Sequence, residues 1–218
     1  MNIFWHPQPG EDGKPVAIHH PSRATDIAYA DDADKTISFV PGSPVPASLN
    51  GIQFTSWADA PTTLAGWNKV SGQVDMDEPT LVLKGWKKAA AGVVIEEADG
   101  RIWIVSPTNA FGGYQQTFPK GKADVGLPLQ AVAIKECFEE SGLQVQITGI
   151  VGDFERSTSF CRYYTARRVG GTPADLGWES QAVHLVPKDE LRAMLNTVDD
   201  RKIAAAIGIH ETVSQRGQ

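Results

Sequence analysis

Short apolar runs and alternating apolar and polar positions dominate the chain beyond Lys87, a pattern typical of β-strands. AAAGVVIE (89–96) and RIWIVSP (101–107) predict two strands joined by a tight turn at Asp99-Gly100. Further elements are predicted as strands at YQQTF (114–118), LQVQITGIVGDF (143–154), SFCRYYTARRV (159–169) and QAVHLVP (181–187), and as short helices at LRAML (191–195) and DRKIAAAIGI (200–209). The pattern therefore predicts an α/β fold in which helices flank a mixed β-sheet.

One longer helix is predicted at about 128–141. Pro128 fits a first helical turn, where its missing N–H would be unpaired anyway, and Gly142 fits a left-handed stop after Ser141. Between these ends, one apolar stripe facing a core is formed by Ala131, Ile134 and Phe138.

Residues 1–86 contain many prolines and glycines and show no clear helical period. Large aromatics such as Trp5 and apolar pieces such as ISFV argue against disorder. Asn50-Gly51 predicts a turn between short runs. We therefore predict an irregular, β-containing N-terminal extension that packs on the main domain at 87–218 or on a partner subunit, and we expect a homodimer.

Composition limits the classes of function. The 218-residue chain is 41% apolar and 21% charged, with a formal net charge of -6, which argues against broad electrostatic binding to nucleic acid or anionic membranes. The two cysteines, Cys137 and Cys161, suit free buried thiols in a reducing compartment. The N-terminus lacks a secretory signal pattern, and no apolar run is long enough to span a membrane. A cytoplasmic location is expected.

The predicted helix carries a second face, which is acidic. Glu136, Glu139 and Glu140 are spaced i, i+3 and i+4, so their carboxylates lie together near the helix C-terminus, where the macrodipole favours cations. A solvated acidic surface is one interpretation. The other is a site for Mg²⁺ or Mn²⁺, with Lys120 and Lys122 in the preceding loop contacting phosphate.

Gly121, position 127 and the segment 135–143 (KECFEESGL) together resemble the Nudix box, GX5EX7REUXEEXGU, in which U is apolar. The resemblance implies a Nudix-type α/β/α sandwich for about 87–210 and leaves the first 86 residues uncovered. It implies a divalent-metal-dependent pyrophosphohydrolase acting on a nucleoside diphosphate linked to another moiety. The implied metal ligands are the three glutamates and the main-chain carbonyl of Gly121.

Two positions depart from that pattern. Leu127 stands in place of the first glutamate, and Lys135 replaces the arginine, retaining its charge but losing its forked geometry. These changes leave the principal ligands in place. They also leave open a catalytically weak or inactive nucleotide-binding protein with a regulatory role.

The resemblance implies that the general base is a box glutamate or an acid from a later loop. Glu179 is the main candidate from a loop, because it lies between a Gly/Pro-rich segment and the last strand, and Glu155 is a weaker candidate. Candidate substrate contacts beyond the loop lysines are Arg156, Arg162 and Tyr164. The FPKG lead into the box resembles relatives that cleave dinucleoside polyphosphates or diphosphoinositol polyphosphates, whereas the long extension resembles those that hydrolyse ADP-ribose.

Overall fold

The computed structural model describes residues 3–210. Its strands are β1 (Phe4–Trp5), β2 (Ala17–Ile18), β3 (Ile37–Phe39), β4 (Ser48–Leu49), β5 (Ile52–Gln53), β6 (Lys88–Glu96), β7 (Ile102–Pro107), β8 (Lys120–Lys122), β9 (Leu143–Glu155), β10 (Ser159–Gly171) and β11 (Ser180–Val186). Its α-helices are α1 (Leu64–Asn68), α2 (Leu129–Ser141), α3 (Lys188–Met194) and α4 (Val198–Ala206). Short 3-10 segments occupy Ile27–Asp31, Thr108–Gly113 and Pro173–Asp175.

A seven-stranded mixed sheet forms the centre of the fold. Its strand order is β3-β11-β7-β6-β10-β9, and β8 pairs with β6 beside this path. Strands β6 and β10 are parallel, while the other pairs in the sheet are antiparallel. Most of the predicted strands, and the closing helices α3 and α4, are therefore confirmed.

Side chains of β6 alternate between two buried layers, as expected for a strand covered on both faces. Ala91, Val93 and Ile95 pack in one cluster with the apolar residues of α2. Ala90 and Val94 pack in the other with residues of α3 and α4. This arrangement confirms the predicted α/β/α sandwich.

One predicted strand is wrong. Within residues 114–118, only Thr117 pairs with the sheet, through a two-bond bridge to Val105, and the regular strand β8 follows Pro119. Pro119 lacks the N–H that a continuous ladder needs, although its carbonyl accepts from Val93 N at 3.1 Å. The lysines of β8 concealed this strand, because they made it resemble a polar loop.

The N-terminal residues contribute to the same sheet. Strand β3 forms its edge by pairing with β11, and the Asn50-Gly51 turn joins β4 to β5 with both residues at positive φ, 51° and 79°. Within residues 3–210 no helix is both long and apolar enough to cross a membrane. Cys137 and Cys161 are buried and free, as expected.

A buried histidine links the edge strand to its neighbours. His184 Nδ1 lies 2.7 Å from Ser38 Oγ on β3, and Nε2 lies 2.8 Å from Ser106 Oγ on β7. Burial lowers the pKa of His184 to about 4, so the ring is neutral near pH 7. Its neutral form therefore helps to hold the extension on the sheet.

Candidate active site

Helix α2 places the three predicted glutamates in unequal surroundings. It ends at Gly142, whose φ of 71° is left-handed and whose N–H donates to the carbonyl of Phe138. Glu136 and Glu140 are 9% and 7% exposed, whereas Glu139 is exposed. Two carboxylates are thus enclosed by the fold, and the third faces solvent.

Gly121 permits the close approach of β8 to the helix. A methyl group at this position would overlap the carboxylate of Glu136, so a residue with a side chain cannot occupy it without displacing that carboxylate. Next to it, Lys120 N donates to Glu140 Oε2 at 2.9 Å. The backbone of β8 therefore contacts Glu136 and Glu140.

The side chains of Lys120 and Lys122 point away from the side of β8 that packs against Glu136. Side chains alternate along β8, so Lys120 and Lys122 leave the strand on the side opposite Gly121. Lys120 Nζ lies 5.0 Å from the ring centroid of Tyr114, and Lys122 is exposed. Lys120 remains close enough to act on the charge of Glu140.

Lys135 is surrounded by carboxylates. Its Nζ lies 2.9 Å from Glu139 Oε2, 3.4 Å from Asp124 Oδ2 and 3.7 Å from Glu136 Oε1. Burial opposes its charge, but these acids raise its pKa above the ordinary value. Leu127, at the position of the absent box glutamate, packs against the core instead. The ammonium therefore contacts Glu139 and lies close to Glu136, so it partly neutralises both box carboxylates.

The buried carboxylates have perturbed acidity. Burial, and then repulsion from Glu140, raise the pKa of Glu136 to about 8, against the attraction of Lys135. Burial raises the pKa of Glu140 to about 7, with Lys120 opposing and Glu179 and Glu139 adding to the rise. A cation of higher charge than a lysine would remove the repulsion between them.

The loop before β11 brings Glu179 to this cluster. Gly177 N donates to the carbonyl of Glu139 at 2.9 Å, and a methyl group at Gly177 would overlap that oxygen. Thr108 N donates to the carbonyl of Glu179 at 2.8 Å. Burial raises the pKa of Glu179, and the carboxylates of Glu139 and Glu11 add to the rise. Glu179 therefore belongs to the same electrostatic cluster as the box glutamates.

Glu155 lies in different surroundings. Its exposed carboxylate accepts from Lys87 Nζ at 2.7 Å, and this hydrogen bond, together with the charge of Lys87, lowers the pKa of Glu155. The lysine partner stabilises the ionised carboxylate, so this contact does not favour a role as base.

The predicted arginine contacts are buried in ion pairs. Arg156 Nη1 donates to Asp200 Oδ1 at 2.8 Å beneath the ring of Tyr114, and both charged groups are almost inaccessible. Arg162 Nε donates to Asp153 Oδ1 at 2.7 Å. These guanidinium groups are committed to carboxylates of the chain, and their contact with substrate remains a prediction.

The sequence reasoning missed Glu78, which lies in the N-terminal extension. Its Oε2 accepts from Tyr164 Oη at 2.6 Å and from Arg162 Nη1 at 3.2 Å, and its Oε1 accepts from Gln130 Nε2 at 2.6 Å. Gln130 also pairs with both backbone groups of Val74. A lone glutamate in an irregular segment gives no local signal of such a junction.

A metal would fit this site with help from other ligands. Among residues 3–210, no three His, Cys, Asp or Glu side chains are arranged to hold a metal ion by themselves. Glu136 and Glu140 nevertheless supply buried hard oxygen donors against the backbone of β8, and the carbonyl of Gly121 stays a predicted ligand. Mg²⁺ typically uses one or two carboxylates and completes its shell with water and substrate phosphate. The donor set therefore suits such an ion.

The fold and the acidic site define a class of protein, and comparison with known families identifies it. The family described as NUDIX domain matches residues 86–207. Because this match covers more than half of the chain, the chain belongs to the Nudix family, as the motif predicted, and this membership supports the predicted class of pyrophosphohydrolase.

The individual proteins that resemble this chain share limited sequence identity with it. The Mycobacterium tuberculosis protein named "Putative mutator protein MutT4" is 27% identical over 129 residues, which are 53% of this chain and 52% of that protein. The chain thus spans about half the length of this curated relative.

Similar solved structures include a Caenorhabditis elegans Ap4A hydrolase binary complex, with 18% identity, coverage of 54% of this chain and 94% of that chain, and a TM-score of 0.46. A Streptococcus suis ADP-ribose pyrophosphatase has 20% identity, coverage of 57% and 94%, and a TM-score of 0.45.

Proposed function

We propose that this protein is a divalent-metal-dependent hydrolase that cleaves a phosphoanhydride bond in a nucleoside diphosphate linked to another moiety. ADP-ribose-like and dinucleoside polyphosphate-like compounds are the candidate substrates. The observation that carries the proposal is the enclosure of Glu136 and Glu140 against the β8 backbone, with Glu179 close by. Buried carboxylates that repel one another are stabilised by a multivalent cation, and such cations bind phosphates.

Mg²⁺ or Mn²⁺ is the proposed cofactor. Glu136, Glu140 and the carbonyl of Gly121 would hold it, and Glu139 would join them after release from Lys135. The ion would neutralise phosphate charge and lower the pKa of a bound water. Lys120 would contribute positive charge to the phosphate side of the site, and Lys122 is a more peripheral candidate.

Glu179 is the proposed general base. Desolvation by the surrounding chain, and then the carboxylates of Glu139 and Glu11, raise the pKa of Glu179, the direction that general-base catalysis needs. An oxygen of Glu179 would accept the proton of the attacking water. A Glu179→Gln variant that keeps wild-type turnover across pH would contradict this role.

A substrate panel tests the function directly. Purified protein with Mg²⁺ or Mn²⁺ is incubated with ADP-ribose, dinucleoside polyphosphates, nucleotide sugars and nucleoside triphosphates, and phosphorus NMR identifies the products. We expect two phosphorylated products from at least one linked diphosphate, loss of turnover with EDTA, and loss with Glu140→Gln. Glu155→Gln, which changes an exposed acid away from the cluster, serves as the matched control and should remain active.

The binding-only alternative has two observations in its favour. Lys135 Nζ lies 2.9 Å from Glu139 Oε2, and among residues 3–210 no three acidic side chains are arranged to hold a metal ion by themselves. If the panel shows nucleotide binding but no turnover with either metal, this alternative replaces the hydrolase. The cytoplasmic location and the homodimer remain predictions.

A further inference from the structure

A cavity of about 560 Å³ lies between the N-terminal hairpin β1–β2 and the beginning of β11. This volume is in the range of about 300–1,000 Å³ that is common for small-molecule sites. Most of its walls are apolar, with an amide and a guanidinium among them; they include Phe4, Trp5, Ile18, Val40, Arg23 and Gln181.

Two aromatic side chains remain accessible at this cavity. Phe4 and Trp5 are 54% and 56% exposed, although they are consecutive residues of one strand. A cluster of exposed large apolar groups beside a concavity is typical of a binding site rather than of scattered surface residues. Arg23 lies at the same cavity, and within residues 3–210 no ion pair involves its guanidinium group. An unpaired guanidinium can stack on a planar ring or contact phosphate.

The hairpin is fastened to the Nudix domain by two side-chain amides. Asn109, at a left-handed φ of 56°, accepts from His19 N and donates to the carbonyl of Ala17, both at 2.8 Å. Gln181 Nε2 donates to the carbonyl of His20 at 2.9 Å. These contacts bind backbone groups on β2 and directly after it. The cavity wall is therefore formed before any ligand arrives.

One wall of the cavity is close in sequence to the acidic cluster. Gln181 is two residues beyond Glu179, a distance of about 7 Å along an extended chain. It is the extra residue of a β-bulge, since Ser180 and Ala182 pair with consecutive residues of β7. Bulges re-aim side chains and recur beside active sites. Glu11, in the turn of the same hairpin, is near enough to act on Glu179.

We propose that this cavity binds the nucleobase end of the substrate, with an aromatic ring of the hairpin stacked on the base and Arg23 at the rim. The inference rests on the proposed function and assigns the N-terminal extension a direct part in substrate recognition. A base offers flat apolar faces, which match the aromatic walls, and a polar edge, which the guanidinium of Arg23 can contact. A free sugar would need more polar walls, and a polyphosphate would need more cations.

Binding of product-like fragments without metal tests this subsite apart from catalysis. Isothermal titration in EDTA compares AMP, GMP, UMP and CMP with ribose 5-phosphate, which lacks the base. We expect at least one nucleotide to bind about fivefold or more tighter than ribose 5-phosphate. Phe4→Ala or Trp5→Ala should then weaken the binding of that nucleotide about fivefold or more, because stacking on the base is lost.

Three further variants complete the design. Arg23→Ala should also weaken nucleotide binding. The side chain of Arg23 is exposed and, within residues 3–210, unpaired, so we expect the variant to fold normally. Trp5→Phe keeps a ring and should bind nearly as well as wild type. Trp86→Ala and Arg167→Ala remove an exposed aromatic and an exposed arginine that do not line the cavity, and they should bind normally.

The outcomes separate the two proposals. Equal affinity for nucleotides and ribose 5-phosphate overturns the subsite, as does normal binding by all three alanine variants at Phe4, Trp5 and Arg23. A dimer that dissociates on Trp5→Ala, with no base-dependent binding, would make the cavity an interface between copies and also overturn it. Base-dependent binding without turnover refutes the hydrolase alone. In an active enzyme, the cavity variants should raise KM with little change in kcat.

Discussion

Glu136→Gln tests whether the acidic site stores unfavourable energy in the absence of a cation. Glutamine has nearly the same shape as glutamate but cannot ionise. The pKa of Glu136 is raised from 4.5 to about 8 in the folded chain, mainly by burial and then by Glu140. At 1.36 kcal/mol per pKa unit, this difference corresponds to about 5 kcal/mol between the two protonation states.

The sign follows from proton linkage. The folded state binds the Glu136 proton more tightly than the unfolded state, so its contribution to stability is present below pH 4.5 and is lost as pH rises through about 8. The Glu136→Gln variant cannot ionise at this position, so it does not lose this stability as pH rises. Because Glu140 shares part of the repulsion, we expect the metal-free variant to exceed wild type at pH 9 by about 2–5 kcal/mol in free energy of unfolding, and to differ little at pH 5.

Urea denaturation in EDTA at pH 5, 7 and 9 measures this difference. Adding Mg²⁺ at about 100 times its dissociation constant should stabilise wild type by about 2.7 kcal/mol and the variant by less. Glu155→Gln, at an exposed acid, is the matched control and should show no comparable trend with pH. A difference between variant and wild type that is small at pH 9 and independent of pH would refute the reasoning.

Three other predictions concern positions around the site. Gly121→Ala should abolish turnover, because its methyl group would displace the carboxylate packed on the glycine, whereas Gly149→Ala, which meets only a threonine hydroxyl at 3.1 Å, should retain turnover and stability in the same assays. Asp200→Ala leaves the guanidinium of Arg156 buried without its partner, so urea denaturation should show a loss of about 3–5 kcal/mol in the free energy of unfolding. A change in KM without destabilisation would contradict this structural role. Neutral His184 stabilises the fold above pH 6.5, and this contribution is lost as pH falls through about 4. His184→Gln should therefore flatten the decline in the free energy of unfolding between pH 7 and 4. An equally steep decline in both proteins would contradict the neutral state of His184.

Local chemistry determined much of the site. Pro128 and Gly142 bracket the helix because their backbone preferences act within one or two residues. The i, i+3, i+4 spacing guarantees that three glutamates share one side of any helix formed there. The glutamates could therefore be placed on one helix face before the fold was known, and the resemblance to the Nudix box added Gly121 to them.

The tertiary structure decided which of these groups face each other. Helical spacing fixes angles between side chains but not the direction that faces the protein, so the burial of Glu136 and Glu140 and the exposure of Glu139 follow from packing of α2 on the sheet. Glu78 and Glu179 reach their positions only because distant segments dock on α2.

The N-terminal extension shows the same limit most clearly. Its aromatics and its Asn50-Gly51 turn predicted order, but Asn109 and Gln181 hold the hairpin across about 90 and 160 residues of sequence, respectively. Such contacts depend on loop closure and on the fit of two finished surfaces, which leave no periodic pattern in either segment. The sequence determined the carboxylate motif and the sheet around it, and the tertiary structure alone formed the cavity at the hairpin.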